Sequence, residues 1–176
     1  FVVGNSMGGN IALWLARQYP DLVRAVCVIA PATSPRLVPV SLHRLAFASG
    51  ALSLLLTRTA MKVVHRRTVS RRERLSQERI EESFRTYGRR PDAVRSFMLA
   101  TEAIRDPRLP DALSQLNTRT LVLWGSKDKL VPRQVIDDLM KALPEAESDV
   151  HIGGGHHLQE DEPEWVAEKI STFFLA

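Results

Sequence analysis

A single cysteine, Cys27, stands in this chain of 176 residues. That excludes an internal disulfide and any cysteine-based zinc cluster. No run of 18 apolar residues occurs, so a helix long enough to span a bilayer is not expected. Aromatic residues make up only 6% of the chain. They do not interleave with the basic residues, and no known reader motif accompanies those residues, so nucleic acid is not an expected partner. His151, His156 and His157 lie close in sequence, but no carboxylate stands at a matching helical spacing, so neither a metal nor another cofactor is expected. No internal repeat or low-complexity tract is present. The opening Phe1-Val2-Val3 has no initiator Met and no basic stretch ahead of an apolar one. It does not read as a signal peptide but as the interior of a longer protein, with a cytoplasmic location as the matching expectation.

What is present is the composition of an ordinary folded domain, 44% hydrophobic and 25% charged. Its charge is uneven. Residues 32–112 hold 16 Lys and Arg against 8 Asp and Glu, whereas the rest holds 8 against 12. The excess centres on Arg58, Lys62, Arg66, Arg67, Arg71, Arg72 and Arg74. Such a stripe is either a solvated helix face or a patch that meets anionic lipid or an acidic substrate, with weak contact to a membrane surface as the possible consequence.

The apolar pattern divides the chain into three. Val2-Val3 reads as a strand ended by Gly4, followed by a helix from Asn10 to Tyr19 and a fully apolar strand from Ala25 to Ala30. Thr120 to Trp124 is a further strand, followed by a helix from Pro132 to Leu143, a short strand near Asp149 to Ile152, and a helix from Pro163 to Phe174. Strands alternating with helices predict an α/β fold with a mostly parallel sheet flanked by helices. Residues 32–112 interrupt that rhythm and read as helices over Ser41 to Val64, Ser76 to Tyr87 and Pro91 to Arg105. The expected organisation is therefore core (1–31), inserted helices (32–112) and core again (113–176).

Gly4-Asn5-Ser6-Met7-Gly8-Gly9 fits G-x-S-x-G between a strand and a helix. That turn strains the backbone at Ser6 and lifts its hydroxyl above the sheet, while the Met7 N–H can donate to an oxyanion. Gly4 and Gly8 are expected to be glycine because a Cβ at either would collide as strand and helix pass. The bland alternative is that Ser6 caps the helix. A serine nucleophile needs a base, and the base needs an orienting acid. Asp128, just past the strand at 120–124, and His156, after three glycines, stand in the order and at the strand ends that this chemistry requires.

With these residues in place, the chain resembles the α/β-hydrolase fold superfamily over nearly its whole length. The elbow, Trp124-Gly125-Ser126-Lys127-Asp128-Lys129-Leu130-Val131-Pro132 and Gly153-Gly154-Gly155-His156-His157-Leu158-Gln159-Glu160-Asp161-Glu162-Pro163 resemble three family segments in family order. The resemblance implies a partial hydrolase fold, with the first strands and the loop bearing a second oxyanion donor lying upstream, and residues 32–112 as a helical cap over the pocket. It favours His156 over His157 as the base. Ser6 sets the chain apart from the haloalkane dehalogenases and epoxide hydrolases of this fold, which carry Asp there. The elbow is similar to that of carbon–carbon hydrolases of ring-fission products, yet His157 stands where those enzymes usually carry Trp. The resulting expectation is a serine hydrolase of carboxylic esters, with a small apolar ester or acid as substrate. Alternatives are a C–C hydrolase and a non-catalytic ligand receptor with this fold.

Other residues invite chemical readings but carry bland expectations. Cys27 is expected to be a buried thiol, and His43 and His65 to lie on the surface. The apolar stretch from Leu45 to Leu56 reads equally as a packed helix and as the greasy roof or lid of the pocket.

Overall fold

The computed structural model describes residues 1–38 and 42–176, with the backbone alone for His43, Arg44 and Pro110. Four strands, β1 (Val2–Asn5), β2 (Ala25–Ile29), β3 (Arg119–Gly125) and β4 (Glu147–His151), form one sheet in that order. Every neighbouring pair is parallel. In β2 the alternation of side chains serves two cores. Val26 and Val28 pack with Val122, Trp124 and Leu13 on one face. Ala25, Cys27 and Ile29 pack with Leu121, Leu123 and Phe173 on the other. A strand buried on both faces must be apolar throughout, which is why β2 shows no polar alternation. Burial also pushes the Cys27 thiol up to about 12, so it is inert near neutral pH.

Helix α1 (Met7–Gln18) begins directly after the residue that ends the strand turn, three positions earlier than expected. It lays Ala12, Leu13 and Ala16 against the sheet. After β3 comes α7 (Arg133–Ala142), with Val135, Ile136 and Leu139 buried on the same side. The opposite face is covered by α9 (Pro163–Leu175), which follows the short α8 (Leu158–Asp161).

Between β2 and β3 lies a helical insertion: α2 (Ser49–Leu55), α3 (Arg58–Thr68), α4 (Gln77–Tyr87), α5 (Pro91–Ala100) and α6 (Leu109–Ser114), with single 3₁₀ turns between some of them. The helix expected over Ser41 to Val64 is not continuous. Its start at Ser41 lies outside the described residues, Leu42–Ala48 is a 3₁₀ segment, and α2 and α3 meet at a bend of 102°. Thr57 causes the new start: its extended backbone leaves the first helix, and its hydroxyl accepts the Ala60 N–H of α3. No single described helix is long and apolar enough to cross a membrane. Leu109 and Leu113 of α6 belong to the core shared with α1 and α7, so the insertion rejoins the body before β3.

His65 departs from its surface expectation. It is 6% exposed, on the inner side of α3 with Met61 and Thr68, and its Nε2 meets the Ser83 hydroxyl of α4 at 2.7 Å. The i, i+4, i+7 spacing of Met61, His65 and Thr68 marks the packed face, and a polar residue on that stripe is buried with it. For His43 the side chain lies outside the described residues. In the stretch from Leu45 to Leu56 only the small Ala46, Ser49 and Ser53 are buried, while Phe47, Leu54 and Leu55 face outward.

Candidate active site

Ser6 joins β1 to α1 at φ 55° and ψ −119°. A non-glycine residue in that region is strained, and the surrounding contacts hold it there. Its N–H donates to Ile29 O at 2.9 Å, and its carbonyl accepts from Ala32 N–H at 2.9 Å and Asn10 N–H at 3.2 Å. The Ser6 side chain makes no capping bond to α1, so the simple N-cap role is set aside. Met7 is the first residue of α1, with its N–H among those that have no partner inside the helix.

The tight packing of the turn falls on Gly4, as expected, but on Gly9 in place of Gly8. A Cβ on Gly4 would lie 2.2 Å from Gly8 O. One on Gly8 would meet nothing within 4 Å, whereas one on Gly9 would lie 2.9 Å from the Pro31 Cβ. The close approach is made by Gly4 to the helix backbone and by Gly9 to the segment after β2. Gly8 points into open space, since one residue along a helix rotates the side-chain direction by about 100°.

Asp128 and His156 are brought together although 28 positions separate them: His156 Nδ1 lies 2.9 Å from Asp128 Oδ2. Both side chains are buried, at 0% and 3% exposure. The other Asp128 oxygen accepts the N–H groups of Leu130 at 2.7 Å and Val131 at 2.9 Å, which locks the carboxylate against the imidazole. The glycines before His156 make close approaches possible: a Cβ on Gly154 would strike Leu158 at 2.3 Å, and Gly153 takes φ 96°.

Asn5 joins the histidine to the serine turn and was not singled out from the sequence. Its Nδ2 donates to Ile29 O at 3.0 Å and to His156 O at 3.1 Å. The only hint of this was its place inside the G-x-S-x-G motif. No hydrogen bond joins Ser6 Oγ to His156 among the described residues, a bond that often tightens only with substrate present.

An open cavity of about 460 Å³ starts at Ser6 and Met7. Its walls include Ala32, Leu37, Val38, Leu42, Phe97, Ile104, Leu130 and Val131, with Thr101 as the polar residue besides Ser6. No residue of 45–56 lines it, so the roof comes from α5 and the segments beside it rather than from that apolar stretch. A larger depression of about 760 Å³, between Trp14, Arg17, Arg108 and Gln115, contains none of Ser6, Asp128 or His156.

Beside the site, His65, His157 and Glu160 each place a ligand-type atom within 4.8 Å of the others. They are poorly suited to a cation. Arg79 already bonds Glu160 at 2.8 Å, and its guanidinium would oppose a metal. Burial would raise the Glu160 carboxyl, but His157 and Arg79 outweigh it and hold the group below its ordinary range.

A family model described as alpha/beta hydrolase fold matches residues 1–163. The uncharacterized hydrolase YugF of Bacillus subtilis is 27% identical over 98% of this chain and 64% of its own length. A 2-hydroxy-6-oxononadienedioate/2-hydroxy-6-oxononatrienedioate hydrolase of Burkholderia vietnamiensis is 31% identical over 90% of this chain and 56% of its own. Among solved structures, the 2-hydroxy-6-oxo-6-phenylhexa-2,4-dienoate hydrolase of Rhodococcus superposes with a TM-score of 0.72 at 25% identity, over 99% of this chain and 63% of that one. The chain thus spans less than two thirds of the length of these relatives.

Proposed function

Because the chain belongs to the alpha/beta hydrolase fold family, we propose that it carries the nucleophile, base and acid of a serine hydrolase acting on carboxylic esters with an apolar acyl part. The observation that carries this reading is the 2.9 Å bond between buried His156 and Asp128, together with a strained Ser6 at the mouth of an apolar cavity. Ser6 Oγ attacks the ester carbonyl while His156 Nε2 takes the hydroxyl proton. The oxyanion forms against the Met7 N–H. His156 then protonates the departing alcohol, leaving Ser6 acylated. Water attacks that acyl group and gives a proton to His156, which passes it to Ser6 Oγ as the acid departs, restoring both residues. Asp128 holds the imidazole with Nδ1 protonated, so that Nε2 is free to act as base.

A fluorophosphonate probe tests this in the full-length protein. Ser6 is expected to be labelled, and nitrophenyl esters of growing acyl length to be turned over in parallel. Absence of labelling in a folded protein would leave a ligand receptor as the better reading.

The named activities of the relatives favour a second reading, hydrolysis of a carbon–carbon bond in a ring-fission product. Such a substrate carries at least one carboxylate and calls for a cation in the pocket. The apolar wall of the cavity, with Leu37, Val38, Leu42, Phe97 and Ile104, is what supports the ester. Rates on a ring-fission dienoate and on a nitrophenyl ester, measured side by side, separate the two.

A further inference from the structure

We infer that Asp161 is a positioning residue for His156, and that it clasps the inserted helices to the loop bearing that histidine. The inference rests on the proposed function for the role of His156.

Asp161 is fully buried, and a buried carboxylate persists only where donors replace its water. Its Oδ2 accepts the Gly155 N–H at 2.7 Å, the Ser70 N–H at 2.9 Å and the Ser70 hydroxyl at 3.0 Å. Its Oδ1 accepts the Arg71 N–H at 2.9 Å and also faces the Ser70 N–H at 3.0 Å. Three of these donors are main-chain groups, so the carboxylate fixes backbone rather than mobile side chains. Gly155 directly precedes His156, and Ser70 and Arg71 directly follow α3 and its cap.

The same junction is closed from the other side. Thr68 O, at the end of α3, accepts the N–H groups of His156 at 2.8 Å and His157 at 3.1 Å. Three consecutive N–H groups of the histidine loop therefore end on Asp161 or on the insertion. There is no slack in the contact, since a Cβ on Gly155 would lie 2.7 Å from Asp161 Oδ2 and 2.8 Å from Ser70 N. Around it, Arg71 pairs with Glu162 at 2.5 Å and Arg79 with Glu160 at 2.8 Å. Glu160, Asp161 and Glu162 thus each meet residues of the insertion. A movement of residues 68–71 moves the main chain of His156, and with it the imidazole that must stay on Asp128.

The experiment uses the full-length protein and Asp161→Asn. That change keeps the volume but turns one acceptor oxygen into a donor facing N–H groups. The expected result is a loss of about 10–100-fold in kcat, as a misplaced base gives, with KM changed by less than about threefold. The far-downfield proton resonance of His156 Nδ1 against Asp128 should weaken, while melting stays cooperative. Glu164→Gln, which removes an exposed charge and its 3.4 Å contact to Arg74 away from Asp161, should change none of these. Normal kcat and an intact resonance in Asp161→Asn would overturn the inference. If that variant does not fold, Ser70→Ala removes one hydroxyl donor and should lower kcat about threefold at constant KM; no change there would also overturn it. If Ser6→Ala leaves turnover intact, the proposed function fails, and the resonance alone then decides whether Asp161 positions His156.

Discussion

Gly8 and Gly9 are adjacent in the turn and carry opposite constraints. Gly8→Ala has open space around it and a helical position, so it is expected to stabilise the fold by up to about 1 kcal/mol. Gly4→Ala forces a carbon against the Gly8 carbonyl and should cost about 1–3 kcal/mol or more. Thermal melts of the two variants check the pair, and equal effects would mean that the strand and helix do not approach as described. The chemical residues have their own contrast. Under the proposed function, in which the two act as a unit, Ser6→Ala and His156→Ala should each lower kcat by about 10⁴-fold or more. His157→Ala should cost less than about tenfold and alter substrate preference instead, since its ring lies beside the site and its Nδ1 faces Glu160 at 3.4 Å. Comparable losses at His156 and His157 would remove the assignment of the base.

Between elements, the junction of α3 with α4 is expected to depend on pH through His65. Burial lowers the tendency of His65 to take a proton, with neighbouring Arg79 and His157 acting in the same direction and Glu160 against them. Its folded pKa therefore lies below the ordinary value of about 6.5. The unfolded chain binds the proton more readily, so this contribution is fully present above that pH and is lost as pH falls below it. The melting temperature should drop between about pH 7 and pH 5.5, and less so in His65→Gln, which keeps a partner for Ser83. Equal slopes in the two proteins would show that His65 does not report on this packing. The bend between α2 and α3 belongs to this scale too. A long apolar and basic stretch reads as one helix until Thr57 is seen to cap a second one.

At the scale of the whole molecule, the basic residues of the insertion differ in what they face, and Arg58, Arg90 and Arg108 pair within the insertion itself, with Glu81, Asp92 and Asp106. Arg71, Arg74 and Arg79 face Glu162, Glu164 and Glu160 of the body. Among the described residues, no ion pair engages Lys62, Arg66 or Arg67 on the outer side of α3, where Val63 and Val64 are also exposed. If this outer side meets a membrane, the expected behaviour is weak binding to anionic vesicles that fades between about 0.01 M and 0.15 M salt. The triple change of Lys62, Arg66 and Arg67 to Ala should abolish it. Binding that is absent, or that ignores salt, leaves α3 with a solvated face and no lipid partner.

The sequence by itself determined the parallel α/β fold and the order of the residues proposed as nucleophile, acid and base, because both are written in local patterns. Strand and helix periods are set by neighbours a few residues apart, and G-x-S-x-G is a single turn. It also placed Asp128 and His156 at strand ends, where β3 and β4 deliver them to one another. Only the tertiary structure decided which glycine of the elbow is crowded, since that depends on where Pro31 passes. Only it could show that Asn5 reaches the carbonyl of His156, 151 positions away, and that Asp161 gathers Ser70, Arg71 and Gly155. Asp161 stands in a run of acidic residues that looks like a solvated helix start. Its burial follows from the main-chain donors that the insertion brings to it across about 90 residues, and no local period records such a meeting.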